Sequence, residues 1–159
     1  MISQGAQANL NGKVFEDMMV PIFIAHGFEI YSESELNKID LSDKKRYIIK
    51  NASYMTIYDS KGHTEFVIVD VPRKIRVEAK YQSAPGSVDE KYPYMLLNGI
   101  YKYPESEVIF VVDGGGYKPG AREWLKKQID ADWLEFKEKG KDIKLMTITE
   151  FMNWFNHSF

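Results

Sequence analysis

The chain has 159 residues, of which 44% are hydrophobic and 28% charged, and its formal net charge is −2 at neutral pH. This composition suits a folded domain, and the weak negative charge excludes a protein that coats nucleic acid through bulk positive charge. The absence of cysteine excludes disulfides and thiolate zinc sites. We expect a single domain over residues 1–159 and, because no leader-like or membrane-length apolar run is present, a cytoplasmic protein without a membrane segment.

The first half of the chain predicts a helix followed by an antiparallel meander. Apolar residues three and four positions apart predict a helix over about residues 9–26, which Pro21 should bend or interrupt and Gly27 should end. A short strand and a polar connection come next. The strands of the predicted meander cover residues 46–49, 54–58, 63–70 and 74–81.

The second half predicts helices that alternate with strands. Ser87 and Glu90 have the spacing of a capping box, which predicts a helix from there toward Asn98. An apolar run at residues 108–112 lacks alternation, as in a strand covered on both faces. The last predicted elements are a helix after Pro119, a strand over 143–148 and a helix capped by Thr147 and Glu150. Because the order strand, helix, strand favours a parallel pair, we predict an α/β fold with a central mixed β-sheet flanked by helices.

Charged residues interrupt the predicted hairpin at positions where a sheet interior is expected. If the turn holds an even number of residues, Glu65 lies opposite Lys80 and diagonal to Glu78, so that the three side chains share one face. A turn of odd length would put Asp70 on that face instead of Glu65. We prefer Glu65 and keep Asp70 as the alternative. A surface ion pair is the competing interpretation, but the apolar neighbours and the helices expected on both faces make charge without function costly there.

Two carboxylates and an ammonium in one cluster have a recognisable chemistry. Carboxylates within a few ångström raise each other's pKa unless a cation lies between them, and Mg²⁺ takes hard oxygen ligands while it keeps water positions open. Such an ion can polarise a phosphodiester and lower the pKa of a bound water, and a neighbouring ammonium can stabilise negative charge on the phosphate. Glu65, Glu78 and Lys80 therefore indicate hydrolysis at phosphorus.

The triplet Glu78-Ala79-Lys80, with an acid on the preceding strand and another on the first helix, resembles the PD-(D/E)XK nuclease superfamily, which has the restriction-endonuclease-like fold. The resemblance spans most of the chain and implies a three-layer core. It also implies a Mg²⁺-dependent DNA endonuclease, a phosphodiester hydrolase in which Mn²⁺ can substitute. By position, Glu16 matches the helix acid, Glu65 and Glu78 the strand acids, and Lys80 the lysine, so that the three glutamates are the implied metal ligands. The proline-aspartate dipeptide of the family is absent and a glutamate stands where aspartate is usual, which affects the ligand assignment more than the family.

Other polar residues are candidates for contact with the substrate. Gln82, two residues beyond Lys80, could hold a catalytic water or a phosphate oxygen, with a strand-end hydrogen bond as the alternative. Lys91, Lys118 and Arg122 lie near predicted helix starts and are candidate DNA contacts, with a solvated face as the alternative.

Two further alternatives remain open from the sequence. A catalytically silent DNA-binding or assembly module that keeps the fold is the alternative function, and a homodimer could bring two sites to two strands although no helix has a sustained heptad pattern. Four tyrosines could stack on single-stranded bases, although core packing is the stronger interpretation for them. These tyrosines are Tyr92, Tyr94, Tyr101 and Tyr103.

Overall fold

The computed structural model describes residues 4–159, with side chains described from residue 12 onward. The helices are α1 (Gln4–Ala25), α2 (Glu33–Leu36), α3 (Tyr92–Tyr101), α4 (Ala121–Asp130) and α5 (Ile148–Ser158). The strands are β1 (Glu29–Ser32), β2 (Arg46–Met55), β3 (Lys61–Asp70), β4 (Arg73–Tyr81), β5 (Glu107–Asp113) and β6 (Asp142–Met146). Short 3₁₀ turns cover Val88–Lys91 and Trp133–Glu135. Within residues 4–159, no helix combines the length and the apolar character needed to cross a bilayer.

The six strands form one mixed sheet in the order β1-β2-β3-β4-β5-β6. β2, β3 and β4 are the antiparallel meander, whereas β1 is parallel to β2, β5 to β4, and β6 to β5. The parallel pairing of β5 and β6 across α4 is the one that the order strand, helix, strand predicts. The α/β fold with a central mixed sheet between helices is therefore confirmed.

Helices cover both faces of the sheet. α1 and α5 pack on one face through aromatic side chains, with ring centroids 5.0 Å apart for Phe23 and Phe66 and 4.9 Å apart for Phe23 and Phe155. α3 and α4 pack on the other face, where Leu96 and Leu125 are buried in a cluster with Phe110 of β5. Because β5 has a strand on each side and helices on both faces, its apolar run is buried throughout, as its lack of alternation predicts.

Three predicted boundaries in the first half were wrong for local reasons. β2 is a single strand rather than two, because Asn51 takes a left-handed conformation (φ 49°) that asparagine tolerates and the pairing with β3 resumes after it. α1 continues through Pro21, which lies on the exposed side of the helix, so an interruption there was wrong, while the alternative of a bend stays a prediction. The polar connection after β1 contains α2, where Ser32 and Glu35 form a reciprocal capping box.

The predicted helix ends were confirmed in two places and wrong in one. Thr147 and Glu150 form the capping box of α5, and Gly27 follows α1 with a φ of 80°. Ser87, in contrast, makes no side-chain capping bond, and a 3₁₀ turn precedes α3. The buried acid of this turn, Asp89, accepts a hydrogen bond from the backbone of the β5–α4 loop, so the turn is held by a tertiary contact instead of a cap.

Candidate active site

The hairpin of β3 and β4 sets the positions of the charged side chains. Its turn holds two residues, 71–72, and the ladder starts directly at Asp70. The predicted register, with Glu65 opposite Lys80, was therefore wrong by two residues. Because an even shift preserves the faces, Glu65 still falls on the side of β3 that corresponds to Glu78, while Asp70 falls on the opposite side.

The two strands separate just where the candidate site begins. The β3–β4 ladder ends at the pair Phe66–Val77, one residue before Glu65. Beyond that pair, a carboxylate oxygen of Glu65 accepts a hydrogen bond of 2.6 Å from the N–H of Ala79. A side chain thus satisfies an N–H that a longer ladder would have paired with backbone. The Glu65 carboxylate is thereby held in the gap between the strands.

Glu78 and Lys80 lie on either side of Ala79 and face α3. The ammonium of Lys80 donates hydrogen bonds to the carboxylate of Glu78 and, at 3.2 Å, to the carbonyl oxygen of Ala79. Glu78 is only 5% exposed, and its second oxygen, Oε2, has no hydrogen-bond partner among residues 12–159. A buried carboxylate oxygen without a partner is unfavourable, so this position calls for a cation or a water.

The pKa values of Glu65 and Lys80 are both raised in this cluster. Burial, together with the carboxylate of Glu78, raises the pKa of Glu65 to about 7, although the Lys80 ammonium and the Ala79 N–H oppose this rise. Burial alone would lower the pKa of Lys80, but the two carboxylates outweigh it and the pKa rises above its usual value. Lys80 is therefore a protonated ammonium at neutral pH. It is suited to orienting a water or stabilising negative charge, and it is unsuited to removing a proton.

We expect Glu65 to make the metal-free protein less stable as the pH rises from about 4.5 to about 7. In this window the folded carboxyl group holds a proton that the unfolded one, with the ordinary pKa of 4.5, has released. The folded state then binds more protons, so the free energy of unfolding falls with pH, and Glu65 adds no further slope above about 7. Glu65→Gln, which is isosteric and cannot ionise, should lose this part of the slope. Urea unfolding in EDTA across the window measures it, and an identical slope in the variant would contradict the shift.

Two openings reach the site from opposite sides of the hairpin. A pocket of about 220 Å³ beside α3 is lined by Glu78 and Lys80, and a cleft of about 520 Å³ beside α1 is lined by Glu65. His63 lines both. The sequence pattern assigned no role to His63, although strand alternation puts it on the side of Glu65, two residues away, and could have identified it.

Glu16 projects from α1 into the cleft that Glu65 lines. Its carboxylate accepts a hydrogen bond of 2.7 Å from Lys50, and the two side chains are 41% and 39% exposed. Among the described residues, no three acids or histidines lie close enough to hold a metal ion, so the structure does not join Glu16 to Glu65 and Glu78 in one such group. Its role as a metal ligand stays a prediction.

The arrangement of Glu65 and Glu78 fits a Mg²⁺ ion with two protein ligands. Mg²⁺ usually keeps several waters and binds one or two carboxylates together with oxygens of the substrate phosphate, so a third acid is not required. The unpartnered Oε2 of Glu78 offers a ligand, and the pKa of Glu65 is raised first by burial and then by the nearby carboxylate of Glu78. The residues present therefore fit a divalent cation with oxygen ligands.

Gln82 lies just beyond β4 and binds a loop, although its side-chain oxygen Oε1 has no hydrogen-bond partner among residues 12–159. The side-chain amide of Gln82 donates to the carbonyl of Gly116 at 2.9 Å, and the backbone carbonyl of Gln82 accepts from the N–H of Gly116 at 2.8 Å. Gly114 comes so close that a Cβ there would lie 2.2 Å from the Gln82 carbonyl oxygen. This is the alternative of a strand-end hydrogen bond, and a catalytic role for Gln82 stays a prediction.

The three candidate DNA contacts differ in their surroundings. Lys91 lines the pocket over Glu78 and Lys80, and its side chain makes no hydrogen bond or ion pair within residues 12–159. Lys118 is bound to Glu90 at 3.0 Å. Arg122 donates to a β5 carbonyl at 3.3 Å, and its guanidinium lies 3.9 Å from the carboxylate of the α5 capping residue. Lys91 alone of the three is both at the pocket and unpaired, and all three assignments stay predictions.

A family model described as PD-(D/E)XK nuclease superfamily domain matches residues 7–159. The match includes the hairpin with Glu65, Glu78 and Lys80 and every element from β1 to α5. No curated protein and no solved structure matches the chain. Members of this superfamily are generally nucleases and usually use divalent metals.

Proposed function

The chain belongs to the PD-(D/E)XK nuclease superfamily, and from that premise we propose that it is a Mg²⁺-dependent DNA endonuclease with Glu65, Glu78 and Lys80 at its centre. One observation carries the proposal: hydrogen bonds through Ala79 and Lys80 link the three side chains. Glu65 binds the N–H of Ala79, while Lys80 binds the carbonyl oxygen of Ala79 and the carboxylate of Glu78. Two carboxylates and an ammonium are thus held at the open end of a hairpin, beside a pocket that can admit a phosphate.

The roles of the residues follow from their charges. A divalent ion bound here would polarise the scissile phosphodiester and lower the pKa of a coordinated water. Glu65 and Glu78 would supply its oxygen ligands. Lys80, kept protonated by these carboxylates, would orient the attacking water and stabilise the charge that grows on the phosphate oxygens. The water oxygen bonds to phosphorus in line with the bond to the 3′ oxygen, which breaks; one proton of the water ends on the released 3′ hydroxyl group, and the other goes to the phosphate monoester or to solvent.

A metal-dependence experiment tests the proposal. Supercoiled, linear, single-stranded and branched DNA are incubated with the protein in Mg²⁺, in Mn²⁺ and in EDTA. We expect strand breaks with either metal ion and none in EDTA. DNA binding that needs no metal, without strand breaks under any condition, would overturn the proposal in favour of the silent DNA-binding or assembly module. Sedimentation of the same samples would show whether the protein acts as a homodimer, which stays a proposal.

A further inference from the structure

We propose that Tyr58 and Tyr94 form a stacking platform for an unpaired nucleobase, so that the protein selects DNA with unpaired nucleotides beside the scissile phosphate. This inference rests on the proposed nuclease function and specifies its class of substrate. The binding mode is a platform of aromatic rings beside cationic side chains, which is how proteins hold single strands without reading their sequence.

Burial and position exclude most of the tyrosines as contacts for a base. Of the four that the sequence singles out, Tyr92 and Tyr103 are buried, and Tyr101 lies outside the pocket over Glu78 and Lys80. Tyr94 lines that pocket. A fifth, Tyr58 in the turn between β2 and β3, stacks on Tyr94 with ring centroids 5.1 Å apart and planes 25° apart.

The outer face of this stack is free to receive a third ring. Tyr58 is 74% exposed although Tyr94 covers one face of its ring, so the other face is open to solvent. A base placed on that face would continue the stack base, Tyr58, Tyr94. The stack ends at Tyr94 in the wall of the pocket that contains Glu78 and Lys80, so a strand that runs from the stacked base along the two tyrosines would lead toward these residues.

The turn that carries Tyr58 is held in place. The N–H of Ile57 donates to Oδ1 of the buried Asn98 in α3 at 2.8 Å. Thr56 and Ser60 close the turn with a side-chain hydrogen bond of 2.8 Å. The ring of Tyr58 is thus presented by a fixed turn, and little ordering is needed when a base binds.

Cationic side chains flank the platform. Lys61 and Lys91 line the same pocket, one from β3 and one from the turn before α3, and neither forms an ion pair within residues 12–159. Unpaired cations of this kind attract the phosphates of a DNA strand. The pocket therefore offers a path for a backbone with an aromatic surface at its edge.

Only an unpaired nucleotide can use such a surface. Inside a duplex each base is stacked between its neighbours, so its ring face is available for a protein only at an unpaired or terminal position. Single strands, overhangs and flaps are therefore the expected substrates, and blunt duplex is disfavoured.

Binding measurements in EDTA separate this platform from general attraction to DNA. Fluorescence anisotropy is measured with a labelled single-stranded oligothymidylate and with a blunt two-strand duplex that has no loop, for wild type, Tyr58→Ala, Tyr58→Phe and Tyr101→Ala. Tyr58→Ala should weaken binding of the single strand about ten-fold, because one stacked base is lost, and leave duplex binding unchanged. Tyr58→Phe keeps the ring and should bind like wild type, as should Tyr101→Ala, which removes another exposed tyrosine. Equal wild-type affinity for both DNAs, or no effect of Tyr58→Ala, would overturn the inference.

Cleavage distinguishes failure of this inference from failure of the proposed function. In Mg²⁺, wild type should cut a duplex with a single-stranded overhang faster than a blunt duplex. Equal rates would overturn the substrate class while the nuclease proposal stands. Binding that depends on Tyr58, with no cleavage in any metal ion, would overturn the nuclease proposal and support the platform alone.

Discussion

Glu78→Gln is expected to reduce Mg²⁺-dependent cleavage of DNA by at least about a hundred-fold, the usual order for loss of a charged group that stabilises the transition state. The amide keeps the shape of the buried side chain but removes the negative charge of an expected metal ligand and one counter-charge of Lys80. Single-turnover cleavage of a duplex with a single-stranded overhang at saturating Mg²⁺ measures the loss. Because Glu65 still acts as a counter-charge to Lys80 and the side-chain volume is unchanged, the fold should be retained, and thermal unfolding checks this.

Glu107→Gln is the matched control for this variant. Glu107 is also a glutamate in the sheet, but it forms a bidentate ion pair with Arg73 at the opposite end of β4, with hydrogen bonds of 2.7 and 2.6 Å. Its substitution should leave the cleavage rate unchanged. Wild-type cleavage by folded Glu78→Gln, or an equal loss in both variants, would contradict a catalytic site at Glu78.

Arg76→Met is expected to lower the free energy of unfolding by about 3–5 kcal/mol, because it leaves a buried carboxylate without its partner. Arg76 and Glu105 have side chains only 4% and 8% exposed and form a bidentate pair with distances of 2.5 and 3.1 Å. The same guanidinium donates to the Ala52 carbonyl of β2 at 3.1 Å and to the Thr64 hydroxyl of β3 at 3.0 Å. It therefore joins three strands one residue before Glu65.

Two further variants test whether the loss of stability comes from a buried charge left unpaired or from the loss of any ion pair. The double variant Arg76→Met with Glu105→Leu should recover much of the lost stability, since neither charge is then buried alone. Arg46→Met removes a bidentate pair with Asp70 whose side chains are 41% and 30% exposed, and should cost only about 0–1 kcal/mol. Urea unfolding measures all three. A loss below about 1 kcal/mol for Arg76→Met would contradict the structural role of this buried pair.

Much of the fold could be predicted because its signals are local. The apolar run at 108–112 and the capping residues Thr147 and Glu150 each depend on neighbouring residues alone, and each was confirmed. Strand parity assigns Glu65 and Glu78 to one side even with a register error of two residues, but the ladder ends before Glu65, which lines the cleft beside α1 while Glu78 lines the pocket beside α3.

The remainder of the site depends on contacts between residues distant in sequence. The hydrogen bond from Ala79 to Glu65 exists because the ladder stops at Phe66–Val77, and no local pattern marks that end. Lys50 reaches Glu16 from a strand whose continuity depends on the left-handed conformation of Asn51.

The platform and the loop beside the site also lack a local signal. Gln82 binds a glycine loop more than thirty residues away, which requires a backbone approach that only glycine permits. The proposed role of Tyr58 depends on its stack on Tyr94, which belongs to another element. Neither contact can be read from spacing along the chain.

Anomalous scattering from crystals soaked in Mn²⁺ tests most directly whether Glu65 and Glu78 form a metal centre. We expect one strong peak in the gap between β3 and β4, within coordination distance of a carboxylate oxygen of each residue and lost in crystals of Glu78→Gln. Crystals with no peak at this position, or with a peak that neither carboxylate contacts, would contradict the metal site on which the proposed cleavage depends.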